Sequence, residues 1–429
     1  MRLTLSSLQW FIFILANAIV APLSIGHAFG MDHAEIAGLL QRSFFLFGLA
    51  SLLQGFFGHR LPLLAGPAGL WWGVFLTYAG FVSSSGDAVV VLRSLELGLL
   101  ISGVLFIVLS ALRLMDVIRK LFTPLVMGTT LMLLVVQLGG SFLKGILGIG
   151  YRSSHVDPTV AICALATLVF AVILARSGNK FLSSYSVLIS LAFGWALFAV
   201  VGIAKPIGSH VQSWFSLPSV FVWGAPTFNL GVVLTSVFIA FLLMVNLITS
   251  VNVVADVVEE KGKLPYNRSG FIMGINQLLA GIFSTVGGVP LSAAAGFIST
   301  TKVKKRAPFL IGSAIILIVS FFPMLMTFLA SIPMPVGYAT IFLSIAGLAG
   351  IALSQYRKVV GEERPRFIVS FSLMLGFGLT FIPEEAWNGF PKVLGSLLSN
   401  GLVVGVLACM ILEQFMRTGK RSEGTEQSS

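Results

Sequence analysis

The chain has 429 residues, 56% of them apolar and only 10% charged, with a net charge of +11 and a mean hydropathy of +0.98. That composition excludes a water-soluble globule and places the chain in a membrane. The basic residues are spread over many segments, which excludes a single nucleic-acid-binding patch. No nucleotide-binding loop or catalytic dyad is present, so neither an ATP-driven pump nor a membrane enzyme is expected.

The N-terminal stretch MRLTLSSLQWFIFILANAIVAPLSIGHAFG has an apolar run longer than that of a signal peptide and reads as a retained first span. Continuous apolar runs, each long enough to cross about 30 Å of hydrocarbon as a helix, recur from Leu8 to Phe415. They predict an all-α polytopic protein, without the alternation of a barrel strand. Spans are expected near 7–29, 35–57, 67–81, 89–112, 122–142, 158–175 and 184–204. A second set is expected near 229–254, 268–286, 291–301, 308–331, 335–353, 366–382 and 391–416. Seven spans per half invert the second half in the membrane, which is the origin of inverted repeats. Cys163 and Cys409 lie mid-span without a partner motif, so they read as packing residues, and no metal or cofactor is expected.

Cytoplasmic loops carry excess Lys and Arg. With both termini inside the cell, the map places most of the 27 basic residues on the cytoplasmic side. Only Arg93, Lys144, Arg152, Lys205 and Lys392 lie opposite, and Arg42 lies within span 2.

Spans 3 and 10 are anomalous. GPAGLWWGVFLTYAG from Gly66 and LSAAAGFISTT from Leu291 are short and rich in small residues. They are introduced by Pro62 and Pro67, and by Gly287, Gly288 and Pro290. Paired short segments in matching places of the two halves mark a midplane ligand site, whereas small residues alone also serve close helix packing. A helix that begins inside the membrane leaves its first N–H groups unpaired at its positive end, ready for carbonyl oxygens or an anion. Extended backbone ahead of it is tolerated at that depth only where it lines a cavity or pairs with itself.

Taken in order, SLQ from Ser7, SGVLF from Ser102, FTPLVMG from Phe122, GIFSTVGGVP from Gly281 and IPMPV from Ile332 followed by GLAGIA give the whole chain a resemblance. It resembles the nucleobase-ascorbate transporters (nucleobase:cation symporter family 2), which include uracil and xanthine/uric acid permeases. The resemblance implies a core domain of spans 1–4 and 8–11 (residues 1–115 and 229–331) and a gate of spans 5–7 and 12–14 (116–228 and 332–416), with a cytoplasmic tail at 417–429. It implies a nucleobase substrate bound between spans 3, 8 and 10, a coupling proton, a plasma or inner membrane location and a homodimer through the gate. The residues it assigns to the substrate are Gly66, Pro67, Ala68 and Gly69, Asn246 and Ser250, and Leu291, Ser292 and Ala293, with Gln9 and Trp71 in support.

The chain departs from that family at its acids. The family's two glutamates on spans 8 and 10 fall on Asn246 and Ala293, its histidine after Gln9 falls on Trp10, and no Asp or Glu occurs between Lys261 and Gly361. Asn246 cannot carry a proton, although its amide matches the donor and acceptor edge of a nucleobase. Facilitated diffusion is therefore expected. An anion carrier of similar architecture and a non-transporting receptor are the competing readings. Asn252 and Asn276 read as interhelical hydrogen-bonding residues. Trp71 and Trp72 are open to either ring stacking or interfacial anchoring. Arg93 and Glu96 are expected to pair at the outer end of span 4, and Arg42 is expected to snorkel outward.

Overall fold

The computed structural model describes residues 2–85, 87–115, 123–179, 182–183, 185–204, 213–357, 363–382, 386, 398 and 401–426. In chain order the elements are α1 (Arg2–Ala18), α2 (Val20–Ala28), α3 (His33–Phe56), β1 (Ala65–Pro67), α4 (Gly69–Ser85), α5 (Ala88–Ala111), α6 (Pro124–Ile146), α7 (Pro158–Ala175) and α8 (Ser186–Val200). They continue with α9 (Leu230–Val258), α10 (Tyr266–Ile282), β2 (Gly288–Pro290), α11 (Ala293–Thr301), α12 (Arg306–Val319), α13 (Pro323–Ala330), α14 (Met334–Arg357), α15 (Glu363–Thr380) and α16 (Gly401–Glu426).

Polar residues at span boundaries start four of these helices. Asp32 accepts the Glu35 amide at 2.8 Å while the Glu35 side chain accepts the Asp32 amide at 2.8 Å, a reciprocal cap that begins α3. Asp87, Asp157 and Asn229 cap α5, α7 and α9 in the same way, each accepting a first-turn amide. Two helices end on non-glycine residues in the left-handed region, α9 at Glu259 (φ 62°) and α11 at Lys302 (φ 61°).

The chain divides into two compact units, one of Met1–Met115 with Ser141–Leu343 and one of Asp116–Gly140 with Ser344–Ser429. In the first, α5 packs along α10, and α12 packs along both α1 and α3. Lipid tails are as apolar as leucine, so close fit holds such helices together rather than escape from water. Gly103 and Gly274 provide that fit, since a Cβ on Gly103 would stand 2.9 Å from the Gly274 carbonyl and one on Gly274 2.8 Å from the Gly103 carbonyl. In the second unit α15 packs on α16, where a Cβ on Gly401 would reach the Gly376 carbonyl at 2.2 Å.

Five segments among the described residues are long and apolar enough to cross a membrane: Leu3–Ala28, His33–Phe56, Ala88–Ala111, Pro158–Ala175 and Leu230–Val258. The span expected at 308–331 is two helices, α12 and α13, bent by 89° where Pro323 opens the second. The first span, Leu3–Ala28, comprises α1 and α2, interrupted at Ile19 alone. The span expected at 268–286 ends at Ile282, and the helix expected from Leu291 begins at Ala293. Residues 391–397, expected to open the last span, lie outside the described residues.

Candidate functional site

β1 and β2 form an antiparallel ribbon with Ala65 opposite Pro290, Gly66 opposite Val289 and Pro67 opposite Gly288. On its flanks the Leu291 amide donates to the Leu64 carbonyl (3.0 Å) and the Ala68 amide to the Gly287 carbonyl (2.9 Å). Antiparallel ladders alternate bonded and non-bonded pairs, so Ala65, Pro67, Gly288 and Pro290 turn their peptide groups outward. Two of the outward polar groups have side-chain partners. Ser51 Oγ accepts the Ala65 amide at 2.9 Å, and Gln277 Nε2 donates to the Gly288 carbonyl at 2.9 Å. Pro67 and Pro290 have no N–H to satisfy. The extended backbone thus pairs with itself, the arrangement that a membrane interior tolerates.

α4 leaves one end of the ribbon and α11 the other, so the two helices start beyond opposite ends of a strand roughly 10 Å long. As at any helix start, the first N–H groups of each have no intrahelical acceptor. On α11 the amides of Ala294 and Ala295 turn back to the carbonyls of Leu291 (3.1 Å) and Ser292 (2.9 Å), and the Ser292 hydroxyl makes no cap. That leaves the Ser292 and Ala293 amides as donors. Gly66 must lack a side chain, because a Cβ there would strike Leu291 Cδ1 at 2.6 Å. Pro67 and Ala68 are buried, Gly69, Leu291 and Ser292 are half-buried, and Ala293 is exposed.

α9 packs against α11, β2 and α4, which brings the helix of Asn246 and Ser250 alongside the ribbon. Among the described residues the polar contact of this pair is mutual, Ser250 Oγ donating to Asn246 Oδ1 at 3.2 Å. The bond occupies one acceptor site of a half-buried Asn246 and leaves its amide N–H groups available. Gln9 is half-buried on α1. Its neighbour Trp10 is fully buried against Phe297 of α11, ring centroids 4.6 Å apart, so the position where a histidine was expected anchors a helix.

Several residues behave differently from expectation. Trp71 has 0% exposure, its indole pressed against the bare Cα of Gly287, and therefore presents no free face for stacking. Trp72 is also buried and donates Nε1–H to Ser24 Oγ at 2.6 Å, which fixes it within the protein rather than at an interface. Arg93 and Glu96 do not pair: Arg93 Nε donates to the Trp223 carbonyl (2.6 Å), while Glu96 Oε1 accepts from Ser284 Oγ (2.6 Å). Arg42 does not snorkel; it is 5% exposed and its Nε donates to the Ser284 carbonyl at 3.2 Å. Asn252 does bind another helix, accepting from the Tyr266 hydroxyl, but neither polar atom of the buried Asn276 has a partner. Cys163 and Cys409 are both free and buried.

The sequence reading missed Gly296, Ser51 and Gln277. Ala293, Gly296 and Ser299 are all exposed at helical spacing, and a Cβ built on Gly296 meets nothing within 4 Å. The small residues three apart were the available signal. A cavity of about 180 Å3 lined by His27, Asp32, His33, Tyr151, Ser331 and Pro333 among others lies apart, sharing no residue with the ribbon or either half-helix.

A family model described as a permease family, Xan_ur_permease, matches residues 1–385. The chain is 42% identical to a putative purine permease, YwdJ, of Bacillus subtilis (strain 168), covering 98% of this chain and 97% of that one. It is 24% identical to the uric acid transporter UacT of Escherichia coli (strain K12), covering 96% of this chain and 86% of that one. Among solved structures, the transmembrane domain of the cyanobacterial bicarbonate transporter BicA has a similar fold, with a TM-score of 0.60, 16% identity and coverage of 96% and 97%. The murine anion transporter Slc26a9 in its inward-facing state matches with a TM-score of 0.63, 15% identity and coverage of 96% of this chain and 68% of that one.

Proposed function

We propose a function from one premise: the chain belongs to the Xan_ur_permease family of permeases and is an integral membrane transporter, not an enzyme. Its relatives are named as purine, uric acid and xanthine permeases, and the substrate class proposed here is a nucleobase, a purine such as xanthine or uric acid, or uracil. Fourteen spans in two inverted repeats carry it across the cell membrane by alternating access. Spans 1–4 and 8–11 act as the core and spans 5–7 and 12–14 as the gate, both termini are cytoplasmic, and two copies assemble through the gate.

The observation that carries this reading is the ribbon with a half-helix leaving each end and Asn246 on the adjacent α9. The unpaired amides of Ser292 and Ala293, and those opening α4 from Gly69, next to Pro67 and the ribbon-bonded Ala68, face nucleobase carbonyl oxygens. The Asn246 amide completes the recognition of the base edge. Leu291 and Gly66 set how closely the ring approaches.

Competition of xanthine, uracil and sulfate for binding to the purified protein tests the substrate class. Displacement by a nucleobase supports the proposal. Displacement by sulfate alone favours the anion carrier, whose half-helix starts would likewise need no nearby acid. Binding without uptake into proteoliposomes would identify a receptor. For orientation, thiol labelling from outside intact cells is expected at Ser154→Cys and not at Lys305→Cys, in a chain with Cys163 and Cys409 replaced; the reverse pattern overturns the map.

A further inference from the structure

The site contains no acid on α9 or α11, yet a carboxylate is buried behind it. Glu96 on α5 is 0% exposed, and its Oε2 has no hydrogen-bond partner. Its Oε1 accepts from Ser284 Oγ at 2.6 Å. Ser284 is unusual in itself, a non-glycine residue at φ 45°, a backbone region that persists only where surroundings enforce it.

Three elements enforce it. Arg42 Nε on α3 donates to the Ser284 carbonyl (3.2 Å), the Val222 amide donates to Ser284 Oγ (2.9 Å), and Ser284 Oγ in turn donates to Glu96. The next residue, Thr285, shares a 2.6 Å hydroxyl contact with Ser43 of α3. Two residues further, Gly287 and Gly288 are gripped by Ala68 and Gln277. Residues 284–288 are therefore a short rigid lead from Glu96 to β2 and, through Pro290, to the start of α11.

The charged groups around Glu96 are few. From α3 comes Arg42, which itself senses Glu35. Arg93 on α5 is turned to the Trp223 carbonyl. The facing parts of α9 and α10 contribute uncharged residues, Ser236 against Gly98 and Gly281 against the Glu96 backbone carbonyl. No ion pair within 4 Å joins Glu96 to either arginine among the described residues, where the two pairs are Arg152–Asp157 and Lys304–Glu259. The ionised carboxylate makes a charge-assisted bond with Ser284, about twice as strong as a neutral one. A proton taken from bulk water onto Oε2 removes the charge and weakens that bond, freeing the lead to β2.

We propose that Glu96 is the positioning residue through which proton binding sets the geometry of the half-helix pair, via Ser284 and β2. The inference deepens the transporter reading above and rests on it for its meaning. It also replaces the expectation of uncoupled transport, which considered only spans 8 and 10.

The ligand-free test is thiol labelling at Ala293→Cys in reconstituted protein lacking Cys163 and Cys409, with Lys305→Cys as the reference for thiol ionisation. Between mildly acidic and mildly alkaline buffer, the labelling ratio is expected to change at least about fivefold, the lower end of an ordinary coupling free energy. In Glu96→Gln the ratio should be flat. Ser284→Gly, which keeps the backbone conformation and removes the hydroxyl, should flatten it too, so the test survives if one variant fails to fold. An unchanged pH profile in either folded variant overturns the proposal. Exchange of radiolabelled xanthine across proteoliposomes should persist in Glu96→Gln while its pH dependence is lost, and pH dependence retained there also overturns it. Absence of any nucleobase exchange by the unmodified protein would sink the substrate reading instead, while the labelling result still decides the role of Glu96.

Discussion

The two half-helices start from the same ribbon and then diverge. α4 runs for 17 residues and begins inside the packing, with Trp71 and Trp72 both buried within its first turn. α11 lasts nine residues, stops at the left-handed Lys302, and leaves Ala293, Gly296 and Ser299 uncovered. α4 is thus anchored to the protein by bulk, whereas α11 is held from behind by Phe297 and Ile298 and remains bare in front. On the function proposed above, a binding helix needs that division. One partner supplies a fixed wall and the other supplies approachable backbone.

The sharpest way to break the contrast is bulk on the open side. Ser292→Trp or Ala293→Trp should abolish nucleobase uptake while the protein remains folded and inserted, because the ring covers the free amides; normal uptake would favour small residues as packing alone. Next in size is a single methyl group placed on either side of the contrast. Gly287→Ala puts a Cβ 2.4 Å from Gln277 Oε1 and 2.5 Å from Trp71 Cδ1, and should lower stability by about 1–3 kcal/mol, as overpacking does. Gly296→Ala meets open space and should leave stability within about 0.5 kcal/mol while changing substrate affinity. Thermal unfolding in detergent separates the two, and equal destabilisation would erase the distinction between wall and open face.

A smaller effect is expected at Trp72→Phe, which keeps the ring and loses the bond to Ser24. About 1 kcal/mol is at stake, with uptake retained, and a large loss of affinity instead would place Trp72 at the ligand. The smallest concerns the C-terminal ends of α9 and α11. There Lys304 donates to Glu259 at 2.6 Å and holds that carboxyl below its usual value. A lowered folded value stabilises above the unfolded one, 4.5, and the contribution fades as pH falls through the folded value. The carboxylate is exposed, so Lys304→Met should leave the melting temperature at neutral pH unchanged. A measurable drop would show that these two helix ends are coupled.

Much of this was legible in the sequence because membranes leave little choice of structure. Continuous apolar runs gave the long helices, and the paired Gly and Pro clusters marked the breaks ahead of α4 and α11. What escaped was whatever depends on which side of a helix faces whom. Arg93 and Glu96 are three residues apart and look like an exposed pair, but the first turns to Trp223 and the second to Ser284, more than a hundred residues away in each case. Trp71 carries an aromatic face in the right segment, and only the missing side chain of Gly287 reveals that the indole is already in use. Gln277 looked like any polar residue in an apolar span until its carboxamide proved to hold the ribbon's edge.

The outward-facing prolines of the ribbon have one more consequence. A strand edge with free donors is a template on which another strand can grow. Here Pro67 and Pro290 remove the donor at two of the four outward positions, Ser51 accepts the Ala65 amide at the third, and Gln277 occupies the Gly288 carbonyl at the fourth. The sheet is two strands wide, with three of its four outward positions lacking a free donor. A nascent chain can therefore form this piece of β-structure in a helical protein without offering a seed for misassembly to the apolar segments that crowd around it during insertion.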